Sequence, residues 1–167
     1  MAYFNGEKIE NVVLRDVAGA DIRFKNFKGE KTNYNAEGQR TFNILLDEET
    51  AANLEAKGWR IKVLENKKDP TAPAIPSIKV RVSFGTVPPK MYMVTSKKKT
   101  LLNEETAMLL DTAEIIKCDI VLSPYVGKMS KDGLASAYLR TGYFTIVEDD
   151  PFEDEYAEFD SGVEEIF

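Results

Sequence analysis

Between Ser77 and Phe84 the chain alternates without a break. Ile78, Val80, Val82 and Phe84 are apolar, while Lys79, Arg81 and Ser83 are polar. A period of two sends neighbouring side chains to opposite faces of a strand, so one face is buried and the other carries cations. The same grammar recurs along the chain. Residues 9–17 read as a strand. Residues 20–27 read as another, with Ile22 and Phe24 on one face and Arg23 and Lys25 on the other. Arg40–Leu46, Trp59–Glu65, Met91–Thr95, Lys117–Val126 and Leu134–Val147 complete the set, and in the second of these Arg60 and Lys62 alternate with Ile61 and Val63.

The connections are equally legible. Gly29, Asn33, Asn35 and Gly38 mark a loop, Pro70, Pro73 and Pro76 a second, and Pro88-Pro89 and Asp132-Gly133 two turns. Two segments break the period of two. Asp47 to Gly58 reads as a short helix, with Asp47 as N-cap, acids in the first turn and Gly58 as terminator. Asn103 reads as the cap of a second helix running to about Thr112. Short alternating strands with turn signals argue for a barrel or sandwich, and irregularly placed helices argue against a doubly wound parallel sheet. The expected fold is mainly β: an OB-fold barrel elaborated by extra strands, with two short inserted helices. Phe24, Phe42 and Phe84 are expected in its core.

Charge divides the chain in two. All 22 Lys and Arg lie in residues 1–147 beside 18 of the 28 acids, so this body carries +4. Residues 148–167 hold the other ten acids and no base, a charge of −10. Like charges at that density oppose a packed core, so the expectation is a body at 1–147 followed by a disordered acidic tail at 148–167. Aromatic residues interrupt the acids, and the chain ends Ile166-Phe167. An acidic segment with an apolar tip suits docking, which makes Phe159, Ile166 and Phe167 candidate partner contacts.

Composition narrows the chemistry. There is no histidine, which removes Ser-His-Asp and Cys-His nucleophile pairs and the usual metal sites. The single cysteine, Cys118, lies in an apolar run and reads as a buried structural thiol that needs no oxidising compartment. No stretch approaches the ~20 apolar residues of a membrane span. Phosphate loops, dinucleotide fingerprints and nucleophile elbows are missing. Helix capping accounts for Asp47, Glu48 and Glu49, and nothing singles out Asp111 with Glu114. Neither a cofactor nor a metal is expected, and a cytoplasmic location is.

A binding surface remains. Tracking a single strand of nucleic acid requires cations for phosphates and aromatic faces for bases. Arg23, Lys25, Arg60, Lys62, Lys79 and Arg81 have the alternation that places cations on the open side of strands. Lys97, Lys98 and Lys99 form a basic loop beside Tyr92. Phe27, Tyr34, Trp59, Tyr125, Tyr138 and Tyr143 lie near strand ends or turns, close to Arg40 and Arg140. Solvated lysines and core aromatics are the ordinary alternative for each residue singly; the combined pattern carries the reading.

Asn35–Asp47, Lys57–Lys62, Ile78–Phe84, Pro88-Pro89, Thr95-Ser96 and Ala137–Ile146 together resemble the single-stranded DNA-binding proteins of tailed bacteriophages, over about residues 10–147. The acidic C-terminus ending in an aromatic is similar to the tails of bacterial and phage members. The resemblance implies an OB fold, no catalysis, single-stranded DNA as ligand, work in the host cytoplasm, and replication or recombination partners recruited by the tail. The tail departs from the bacterial pattern in lacking a Pro before its final Phe, which points to a phage-encoded partner. Two other readings compete: a protein-interaction module or DNA-mimicking inhibitor using the acidic tail, and a metal-dependent nuclease built on the carboxylates. An edge strand or the Pro-rich loop offers a route to a homodimer.

Overall fold

The computed structural model describes residues 2–33, 36–65, 68–85, 87–128 and 130–147. It opens with a hairpin of β1 (Tyr3–Phe4) and β2 (Glu7–Lys8). Asn5 and Gly6 turn it with φ of 51° and 80°, the left-handed pair that a tight hairpin demands. There follow β3 (Val12–Ala18), a 3-10 turn (Gly19–Asp21), β4 (Ile22–Asn26), β5 (Arg40–Leu45), α1 (Glu48–Ala56), β6 (Lys62–Leu64) and β7 (Ile75–Val82). The rest is β8 (Lys90–Val94), β9 (Lys99–Leu102), α2 (Leu109–Thr112), β10 (Ile115–Tyr125) and β11 (Ser136–Ile146).

The main sheet runs β3-β10-β11-β7-β5-β4. All neighbours on this path are antiparallel except β11 and β7, which are parallel through Ala137–Val80 and Tyr138–Arg81. Further along, β11 leaves β7 and pairs in parallel with β8 from Thr141 to Thr145. β9 extends β8, and β6 covers the start of β7. The fold is mainly β, as expected. Its hydrogen bonds do not close the barrel: β3 and β4, the two ends of the path, are not paired. They are instead consecutive in the chain, two halves of one strand bent at the 3-10 turn, so covalent continuity returns the path to its start.

That bend depends on a close backbone approach. A Cβ on Gly19 would lie 1.7 Å from the Ile115 carbonyl oxygen and 2.8 Å from its carbon. Because the obstructing atoms are backbone, the strand must move to make room. Gly19→Ala is therefore expected to cost about 1–3 kcal/mol, as overpacking does. Thermal unfolding would show this as a Tm lower by roughly 2–4 °C per kcal/mol; an unchanged Tm would mean that the turn has slack.

The core is aromatic at its centre. Phe27, Phe42 and Phe144 are all fully buried, with ring centroids 5.1–5.9 Å apart, one pair stacked and two edge-on. Ile44, Ile78, Val80, Ile120 and Leu122 pack around them. Cys118 is buried as expected, and burial pushes its thiol up to about 12. Asp47 caps α1, accepting from the Thr50 amide at 2.6 Å, and Gly58 follows the helix with φ of 100°.

Several expectations need correction. Only Leu109–Thr112 of the second predicted helix is α-helical. Asn103 does accept from the Glu105 and Thr106 amides, but 104–108 turns tightly with bonds such as Leu110 N to Ala107 O. Three-residue spacing puts Ala107 and Leu110 side by side, and both are fully buried. The expected basic loop of Lys97, Lys98 and Lys99 ends early, since Lys99 already begins β9. Of the three phenylalanines assigned to the core, Phe42 is buried and Phe84 packs against it half-exposed, but Phe24 is 70% exposed. A register shift between Arg23 and Asn26, with φ of 54° at Phe24, marks a bulge that turns this ring outward.

Candidate nucleic-acid interface

Strand register decides which predicted cations meet. Arg23 faces Asn43 across β4 and β5, and Asn43 faces Lys79 across β5 and β7. One step along, Thr41 faces Arg81, which faces Tyr138 on β11. The intervening residues Phe42, Ile44, Ile78, Val80 and Ala137 are buried in the core, so Arg23, Lys79, Arg81 and Tyr138 emerge on one outer face. Lys62 joins them from β6, opposite Ser77. Tyr125 meets the Tyr138 ring edge-on at 5.7 Å.

The electrostatics of this face are unbalanced. Partial burial, together with repulsion from Arg81 and Lys62, holds the Lys79 ammonium below its ordinary pKa. Among the described residues none of these three cations stands in an ion pair. Like charges held together without a counter-ion gain most when an anion settles on them. Beside them lies a groove of about 390 Å³ lined by Arg40, Thr41, Arg81, Phe84 and Tyr138. Arg40 lies 5.3 Å above the Phe84 ring and 3.5 Å from the Glu104 carboxylate.

The remaining predicted residues lie elsewhere. Tyr92 stacks on Tyr143 with centroids 4.8 Å apart, and the Lys99 ammonium sits 4.8 Å and 5.6 Å from the two rings. Lys97 and Lys98 are exposed in the turn of that β8–β9 hairpin. Arg140 is the exposed extra residue of a bulge in β11, between Leu139 and Thr141. Tyr34, Phe159, Ile166, Phe167 and the expectation of a disordered tail fall outside the described residues.

Four of the named residues take other places: Phe27 and Trp59 lie in the core, and Lys25 and Arg60 are held by intramolecular partners. Trp59 has no exposed surface, so no base can stack on it. Lys25 donates to the carbonyls of Leu110 and Ala113 at 2.9 Å and 3.0 Å, closing the C-terminal end of α2 rather than reaching solvent. The Phe24 bulge is the cause, because one extra residue exchanges the faces of Phe24 and Lys25. Arg60 is held by Asp132 through two bonds of 2.6 Å and 2.8 Å, and the guanidinium keeps that carboxyl well below the usual carboxylate range. This pair braces the β10–β11 loop. Asp111 is also structural: it accepts from the amides of Phe27 and Lys28 at 2.7 Å and 2.9 Å. Among the described residues no group of three acids or thiols could hold a metal ion.

Counting the bent β3–β4 as one strand, the barrel strands are β3–β4, β5, β7, β10 and β11, and the face crosses the first three, with Arg23 on the first, Asn43 and Thr41 on the second and Lys79 and Arg81 on the third. The second and third strands and the adjoining loops are where barrels of this type take oligonucleotides. The strand order is that of an OB-type barrel, and one outer face of it is cationic. The chain belongs to the phage ssDNA-binding domain family, whose model it matches over residues 3–167. It is also similar to the single-stranded DNA-binding protein from bacteriophage Enc34 in complex with ssDNA, at 11% identity and a TM-score of 0.49, covering 83% of this chain and 88% of that one. The C-terminal truncation of the Enc34 protein gives 10% identity and a TM-score of 0.44 over 83% and 87%. No curated protein sequence matches the chain.

Proposed function

We propose that this protein coats and protects single-stranded DNA without regard to sequence during phage replication and recombination in the host cytoplasm, and that its acidic tail recruits protein partners through Phe167. The observation that carries the reading is the row of Lys62 on β6 with Lys79 and Arg81 on β7, in no ion pair among the described residues, beside Tyr138 on β11. Phosphates would neutralise the row and release counterions. Bases would stack on the aromatic rim, adding about 1–3 kcal/mol each without selecting a sequence. The −10 tail is a competing polyanion for the +4 body. DNA would displace it and free its apolar tip.

Oligo-dT titration of the intact chain and of residues 1–147, at low and high salt, tests this. Four phosphate contacts, from Arg23, Lys62, Lys79 and Arg81, give a slope of log K against log salt near −3 at about 0.7 per phosphate. Truncation is expected to tighten DNA binding and abolish partner capture. If neither form binds DNA, the interaction-module reading takes its place.

A further inference from the structure

We propose that Phe24, presented by the β4 bulge, is a base-stacking platform of this interface; the assignment rests on the DNA-binding reading of the cationic face. Phe24 is 70% exposed, more than Tyr125 at 57%, Tyr3 at 54% or Tyr143 at 37%. Its φ of 54° lies in the left-handed region, where a bulky aromatic is an outlier. A bulge that only blunted a sheet edge would be built more easily with Gly or Asn, and would need no ring facing water.

The surroundings hold the bulge in place. Immediately after Phe24, Lys25 is tied to the end of α2 through Leu110 and Ala113. The Asn26 side-chain oxygen accepts from the amides of Gly29 and Glu30, and Asp111 holds those of Phe27 and Lys28. Immediately before it, Arg23 donates from Nε to the Ala20 carbonyl at 2.9 Å. Strained backbone that the neighbourhood over-determines is characteristic of functional positions. Phe24 adjoins Arg23, which lies two strand spacings from Lys79, or ~10 Å. A strand of DNA with its phosphates on Lys79 and Arg81 therefore has a flat apolar face within reach for a base, at the edge opposite Tyr138.

Equilibrium binding of the full chain to oligo-dT, and to an abasic oligonucleotide of equal length and charge, tests the assignment. Phe24→Ala is expected to weaken dT binding about 5- to 100-fold. It should leave abasic binding and the salt slope unchanged, and Phe24→Trp should restore affinity. Thermal unfolding verifies that both variants fold. Wild-type affinity of Phe24→Ala for dT, an equal loss on both oligonucleotides, or failure of Phe24→Trp to restore binding would each overturn the proposal. In those outcomes wild-type binding persists, so the DNA-binding reading stands; a wild-type chain that does not bind dT removes both.

Discussion

Lys79→Glu with Arg81→Glu is expected to weaken binding to oligo-dT by on the order of 100-fold or more near 0.1 M salt, the largest loss from any pair on this surface. The two side chains sit on the open side of β7, a strand whose other side is fixed in the core by Ile78, Val80 and Val82. They have nowhere else to point. Removing two phosphate contacts also flattens the slope of log K against log salt by about 1.4, at about 0.7 per contact. Stability should hold or rise, because burial and its cationic neighbours disfavour the Lys79 charge in the fold. Lys25→Gln is the instructive control. It removes a cation equally close in sequence to the interface, but one spent on the end of α2, so it should reduce stability and leave the salt slope alone. Undiminished DNA affinity in the double variant would move the site to the Tyr92–Tyr143–Lys99 cluster.

The contrast between Lys79 and Lys25 also shows what the sequence discloses. Period-two alternation is a local property, so Ser77–Phe84 announced its own faces, and the N-cap at Asp47 and the terminator at Gly58 were equally local. Alternation fails wherever a bulge inserts a residue, and nothing in Ile22-Arg-Phe-Lys25 signals one: no glycine marks the left-handed position. The outward ring and the inward ammonium were thus exchanged. Partners distant in the chain were hidden for another reason. Arg60 is neutralised by Asp132 across 72 positions, and Arg81 meets Tyr138 through a parallel pairing of β7 with β11, strands far apart in the chain. The existence of a cationic face was legible because its cations lie on strands. Its membership was not, because register assembles it.

Trp59→Ala is expected to cost about 3–5 kcal/mol, roughly a fifth or more of the stability of an ordinary domain. The DNA affinity of the folded protein should stay unchanged. The tryptophan reads as a stacking platform from the sequence because it is an aromatic at the end of an expected strand. Its position is set by three separate segments. The Trp59 amide donates to the Leu54 carbonyl at the end of α1, and the residue bridges to Ala135 after the β10–β11 loop. Phe4 of the N-terminal hairpin packs so tightly on Gly58 that a Cβ there would lie 2.5 Å from it. The indole is thus where helix, hairpin and loop converge. Its Nε1 is buried and has no hydrogen-bond partner among the described residues, so Trp59→Phe removes an unsatisfied donor along with some volume and should lose less than the alanine variant. A core role lowers Tm in the order Trp, Phe, Ala at constant affinity. A stacking role would instead lower affinity at constant Tm, and unfolding and binding measured on the same three proteins separate the two. The same burial implies that Trp59 emission stays nearly unchanged when DNA binds, so the interface must be followed from the oligonucleotide side.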